Sequence, residues 1–262
     1  MSRKHAFTLV ELLTVIAVIA MLAAMILPVL SRANAKARGI QCLFNQQQLF
    51  GAWKMYADDN QDRVVLAEDP LVFGGDGHES AWLPLDFKDA YRGELKEDTI
   101  KQSPLYSYSG RSSGIWKCPS FHKLFGDMEG NLRPYAWGQA INFYVGGCNY
   151  VPAAESWHKK QTIYRKSCEL PPALFLFVDQ REDAFDPLSY EVDMNNSESY
   201  YFGNWPAFSH SGGASFTFVD GHAELHHWRS DSTMPRPVIS SSYVAANKDT
   251  QWLQSRATKN LR

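Results

Sequence analysis

The sequence predicts an α+β protein: a long amino-terminal helix, apolar in its first half and amphipathic in its second, packed on a head with a mostly antiparallel β-sheet. Three observations carry this expectation. Residues 7–30 are apolar, with Thr8, Glu11, Thr14 and Pro28 as the main interruptions. Residues 31–57 contain no proline and keep apolar residues at helical spacing. The carboxy-terminal half is cut into short aromatic or β-branched runs bounded by Gly, Pro or Asp, which are strand signals.

The composition bounds the function. The 262 residues are 45% hydrophobic and 21% charged, ordinary for a globular chain, so disorder is excluded as the dominant state. Lys and Arg number 26 against 28 Asp and Glu, a net charge of −2. A basic surface for nucleic acid is excluded, and no nucleic-acid partner is expected. A mean hydropathy of −0.33 excludes a polytopic membrane protein but not a single span. Four cysteines are too few for a disulfide-built scaffold.

As a helix, residues 7–30 would reach about 36 Å, enough to cross a hydrocarbon core of about 30 Å. A lipid bilayer is therefore an expected partner. Glu11 is the anomaly, because a carboxylate within an apolar helix costs about 2.5–3.5 kcal/mol. Snorkelling at the membrane face is the plain explanation. A secretion signal peptide cut after Ala33-Asn34-Ala35 is the rival reading, but its apolar core would be shorter and would lack Glu11. Arg3 and Lys4 precede the run and Arg32, Lys36 and Arg38 follow it, so counting cations fixes no orientation.

The string Ala6-Phe7-Thr8-Leu9-Val10-Glu11 resembles the cleavage and methylation motif of type IV pilins and type II secretion pseudopilins. The resemblance implies a leader over residues 1–6, cleavage by prepilin peptidase between Ala6 and Phe7, and N-methylation of Phe7. It departs from the family at Ala6, where glycine is usual. Glu11 is fifth when Phe7 is first, the family's glutamate position. In that family's arrangement it meets the amine of a neighbouring subunit, which would offset its burial and set axial register. Pro28 also fits, as pilins often carry a late helix-kinking proline. The resemblance implies other pilin or pseudopilin subunits as partners, a single-pass inner-membrane anchor over 7–30, a helical continuation over 31–57, and a periplasmic or extracytoplasmic head over 58–262.

In the continuation, Ile40, Leu43, Phe44, Phe50 and Trp53 form one broad apolar stripe, and Gln46, Gln47 and Gln48 form its polar face. Asp58-Asp59-Asn60 stops the helix. With Asp62 they also make a loose oxygen cluster, the one expected place for Ca²⁺; otherwise no cofactor is expected. Gly74-Gly75-Asp76-Gly77 reads as a turn rather than a phosphate loop. Trp82, Tyr91, Tyr106, Tyr108, Trp116, Tyr135 and Trp137 read as packing in a loop-rich head rather than as a sugar groove.

Expected strands cover residues 141–145, 173–178, 215–219 and 222–228. Asp220-Gly221 predicts a two-residue type I′ turn pairing Val219 with His222 and Phe216 with Leu225. Phe216, Phe218, Ala223 and Leu225 would then share one face. The strands 175–179 and 216–220 both end in aspartate, which could set two carboxylates side by side.

His210, nine intervening residues and Asp220-Gly221 resemble the H-x9-DG motif of many pseudopilin-like proteins. Trp116-Lys117-Cys118-Pro119-Ser120, Tyr56-Ala57-Asp58-Asp59-Asn60 and Trp252-Leu253-Gln254 resemble other strings of that group. A hydrogen-bonding role is expected for His210 and Asp220. His222, with His226 and His227, is a weaker metal candidate without a recognised ligand spacing. One disulfide among Cys118, Cys148 and Cys168 is plausible in an oxidising compartment, and Cys42 reads as a buried thiol. No Cys-His pair stands out as a nucleophile, and no enzyme activity is expected. The function expected is that of a structural pseudopilin-like subunit for type II secretion or a type IV pilus-like filament. The alternative is a membrane-anchored polysaccharide-binding protein that uses the same export signal.

Overall fold

A computed structural model describes residues 9–68, 81–85, 97–122, 124–126, 132–148, 161–182, 189–194, 198–202, 204–234 and 242–259. The Ala6–Phe7 cut site, the Gly74–Gly77 string and Tyr91 lie outside these residues.

Helix α1 runs from Leu9 to Asp59, 51 residues, and continues through Pro28. At 1.5 Å per residue it is about 76 Å long. It ends as the acidic run predicts. The Asn60 N–H donates to the carbonyls of Tyr56 and Ala57, and Gln61 and Asp62 turn left-handed at φ 59° and 63°.

The inner face of its second half differs from the predicted stripe. Gly39, Cys42, Asn45, Gln46, Leu49, Ala52, Trp53, Tyr56 and Ala57 are buried. Ile40 and Phe44 are instead 44% and 61% exposed. Gln46, assigned to the solvent face, is fully buried. The cause lies across the interface, where the head presents Gln139, Ser215 and Thr217 rather than an apolar surface. Gln46 Nε2 donates to Gln139 Oε1 at 2.7 Å and to Ser215 Oγ at 3.0 Å, and Gln46 Oε1 accepts from Thr217 Oγ1 at 3.1 Å. A polar floor selects a polar knob, because buried amides must be satisfied.

Helix α2 is Glu97–Gln102. The hairpin β1 (Leu124–Gly126) and β2 (Leu132–Pro134) is antiparallel. The main sheet is wholly antiparallel, with β3 (Gln139–Ile141), β4 (Phe175–Asp179), β6 (Gly213–Phe218) and β7 (Ala223–His227) in the order β3-β4-β6-β7. Strand β5 (Ser199–Phe202) pairs with β8 (Ser242–Ala245). Helix α3 (Lys248–Ala257) starts at a capping box, with the Asn247 side chain accepting from the N–H groups of Asp249 and Thr250.

Two expectations are corrected. The strand placed at 141–145 lies earlier, at Gln139–Ile141, and turns follow it. The β6–β7 register is shifted by one residue: Thr217 faces Ala223, Phe216 faces Glu224 and Ser215 faces Leu225. The turn has three residues, not two. Gly221 adopts φ +88° and its N–H donates to the Phe218 carbonyl, while the Phe218 N–H donates to His222. This is a type I turn followed by a left-handed glycine, the usual three-residue hairpin loop. A one-residue slip exchanges faces, so Ser215, Thr217, Ala223 and Leu225 look toward α1. Phe216, Phe218, His222 and His226 look the other way, toward Trp252 of α3.

The sheet is thus covered on both sides. Against α1 the core includes Leu49, Trp53, Trp82, Trp116, Trp137 and Phe177. Against α3 it includes Phe175, Tyr190, Trp205, Phe216 and Leu253. Trp82 and Trp116 stack at 5.7 Å. The predicted packing role holds for Trp82, Trp116, Tyr135 and Trp137, which are all buried. Because β4 and β6 run antiparallel, Asp179 and Asp220 fall at opposite ends rather than side by side.

Candidate functional site

Four segments distant in sequence converge under α1. Cys42 comes from the helix, Cys118 from the loop before β1, Asp179 from the end of β4, and His210 from the turn before β6. All four are buried, at 2% exposure or less. Their ligand atoms lie within 4.8 Å of one another. His210 Nε2 is 2.8 Å from Asp179 Oδ2 and 3.2 Å from Cys118 Sγ. Cys42 Sγ is 3.8 Å from the same Asp179 oxygen and 3.1 Å from Ser215 Oγ. The Ser215 N–H donates to Asp179 Oδ1 at 2.6 Å, and Gln139 Nε2 donates to Cys42 Sγ at 3.2 Å.

The electrostatics follow from burial and this company. Burial opposes protonation of His210, but the hydrogen bond and charge of Asp179 outweigh it and push its pKa up to about 10. Burial drives the Cys42 thiol well up, and contact with Cys118 and the Asp179 charge add to it.

No disulfide links the four cysteines. The expected disulfide among Cys118, Cys148 and Cys168 is therefore corrected: Cys118 faces Cys42 and His210, while Cys168 is exposed. The Cys118–His210 pair spans 92 residues, and sequence reasoning missed it. The usable signal is that the Trp116–Ser120 string and His210 both resemble strings of the same pseudopilin-like group.

The other predicted residues disperse. Asp58 pairs with Lys54 at 2.5 Å, Asp59 accepts from the Tyr108 hydroxyl at 3.0 Å, and Asp62 Oδ1 accepts from Ser167 Oγ at 2.9 Å. The three carboxylates thus have three different partners. Asp220 and His222 meet each other at 2.5 Å on the exposed turn. Burial works against the Asp220 charge, yet hydrogen bonds from His222 hold its carboxyl below the usual range. His222 stacks on Phe218 at 4.1 Å.

The H-x9-DG residues acquire a mechanical sense. A Cβ on Gly39 of α1 would meet His210 Nδ1 at 3.3 Å, and one on Gly221 would meet Phe50 Cε1 at 2.8 Å. The histidine and the glycine of the motif therefore mark two of the places where the β6–β7 region touches α1, about 16 Å apart along the helix.

His226, on the opposite face, stacks on Trp252 at 3.7 Å. Burial lowers its pKa to about 4; Asp249 opposes this, while Arg256, Arg229 and His227 add to it. Between pH 6.5 and about 4 the unfolded chain binds the extra proton, so stability is present above pH 6.5 and is lost as pH falls through that window. The ring is only partly buried, so the expected loss is about 1–2 kcal/mol. Denaturant unfolding of detergent-solubilised protein at a series of pH values should show it, and His226→Gln should flatten that slope.

At the amino-terminal end, Glu11 lies near the start of α1 on a segment exposed all round. Thr14 Oγ1 donates back to the Glu11 carbonyl at 2.9 Å. Leu12, Ile16, Ile19 and Leu22 are each more than half exposed. A helix apolar on every side needs lipid or other helices around it. By length and composition this is the one helix among the described residues able to cross a membrane.

Residues 1–27 match the prokaryotic N-terminal methylation motif. The methylation motif covers the leader, the cut site, Glu11 and most of the apolar run. It marks a pilin-like chain that prepilin peptidase processes, and with the apolar helix it points to membrane anchoring. The α+β architecture, a long helix on an antiparallel sheet, is consistent with a pilin-like fold. No curated protein and no solved structure matches the chain.

Proposed function

We propose that this chain is a pseudopilin-like structural subunit of a type II secretion system or a type IV pilus-like filament. Prepilin peptidase cuts between Ala6 and Phe7, Phe7 is methylated, and the apolar half of α1 anchors the subunit in the inner membrane. The head then lies on the extracytoplasmic side. The observation that carries this reading is the methylation motif over residues 1–27 with Glu11 at its acidic position. The fully exposed apolar half of α1 supports it, since assembly through packed helices requires such a surface. The polysaccharide-binding alternative draws no support from Trp53, Trp82, Trp116, Trp137, Trp205 and Trp228, which are buried.

The test is amino-terminal mass spectrometry of the native membrane fraction. The expected result is a first residue Phe7 carrying one methyl group. Recovery of chains beginning at Met1 in cells with active prepilin peptidase would overturn the reading.

A further inference from the structure

We propose that Cys42, Cys118, Asp179 and His210 are the four ligands of a structural zinc ion that fastens α1 to the head. The donor set is two thiols, one imidazole and one carboxylate, all of which zinc accepts. With zinc bonds of about 2.0–2.3 Å, the edges of a tetrahedron measure about 3.3–3.8 Å. Separations of 2.8, 3.2 and 3.8 Å are observed, and all four atoms lie within 4.8 Å of one another, so shifts of under about 1 Å per edge would bring them to that range.

The arrangement also argues against the obvious rival, a cysteine nucleophile relayed through His210 to Asp179. A relay places the thiol and the carboxylate on different imidazole nitrogens. Here both approach Nε2. Four buried ligand atoms gathered within 4.8 Å of one another are what a shared cation requires.

Outer-shell hydrogen bonds are in place for three of the four ligands, while His210 Nδ1 is buried without a partner. The Ser215 N–H occupies the second oxygen of Asp179. Gln139 Nε2 donates to Cys42 Sγ, and the Ser120 N–H donates to Cys118 Sγ at 3.4 Å. Such donors stabilise thiolates and orient ligands. Two thiolates and a carboxylate carry −3 and the ion +2, leaving −1 for these N–H groups to bear. Binding releases both thiol protons and the imidazolium proton to solvent. A cavity of about 440 Å³ lined by Cys118, Phe121, Gln180, Arg181 and Phe208 gives the ion a route in. With four protein ligands the site is closed, as structural zinc sites are.

The test begins with the full chain purified in detergent without chelator, with zinc counted by mass spectrometry. One zinc per chain is expected, with loss in Cys118→Ser and His210→Ala. Asp179→Cys, which gives a Cys3His set, should retain it. Metal-stripped wild type titrated with Co²⁺ should show a thiolate-to-cobalt charge-transfer band, lost in Cys42→Ser as zinc is in Cys118→Ser. The wild-type titration decides the matter even if a variant fails to fold. A cooperatively folded wild type with neither zinc nor a cobalt band would overturn the proposal, as would a Cys42–Cys118 disulfide found by peptide mapping.

Discussion

Gln46→Ala is expected to destabilise the head by about 3–4 kcal/mol, whereas Gln47→Ala, one residue on, stays within about 0.5 kcal/mol. Gln46 is fully buried and Gln47 is exposed. The Gln46 amide donates to Gln139 Oε1, to the Ser215 carbonyl at 3.1 Å and to Ser215 Oγ, and accepts from Thr217. Truncation strands buried donors and acceptors on β3 and β6, each costing about 1–3 kcal/mol, and partial rearrangement among them keeps the total below the sum. Leucine at 46 restores volume but not partners, so it should be little better than alanine. Denaturant unfolding of the full chain in detergent, followed by tryptophan fluorescence, reads the difference directly. Equal effects at 46 and 47 would mean that α1 does not dock through this face.

Glu11→Gln is expected to leave cleavage before Phe7 and membrane insertion intact while cutting incorporation into filaments at least tenfold. Glutamine keeps the shape and hydrogen-bonding capacity of glutamate and removes only the charge. If the carboxylate serves to meet the amine of a neighbouring Phe7, the charge is what matters in a medium of low dielectric, and a tenfold loss corresponds to only about 1.4 kcal/mol. Glu11→Asp keeps the charge but shortens its reach, so it should fall between. Immunoblots of sheared filament and membrane fractions separate assembly from processing. Wild-type filament yield from the glutamine variant would reduce Glu11 to a residue that merely tolerates the interface.

The legible parts were those with local causes. The apolar run, the acidic helix stop and the strand pattern of the second half each depend on neighbours within a few residues, and all appear in the fold. Periodicity held at Trp53 but failed at Ile40, Phe44 and Gln46, because it assumes that the receiving surface is apolar, and β3 and β6 present Gln139, Ser215 and Thr217 there instead. The hairpin register failed by one residue because Asp-Gly serves both a two-residue and a three-residue loop, each with a left-handed glycine, so the dipeptide alone does not set the register. The Cys42–Cys118–Asp179–His210 cluster was invisible as a set. Its members are up to 168 residues apart (210 − 42), and no spacing rule links residues brought together only by tertiary folding.

Contact between hairpin and helix is spread along the axis rather than held at one spot. A head held at a single spot could pivot across the rod it rides on. Seats at Gly39 and Phe50, with the Gln46 amide bonded to Ser215 and Thr217 between them, resist that pivot as well as sliding. A pull on the amino-terminal end of α1 is therefore passed to the sheet through several seats at once rather than through one.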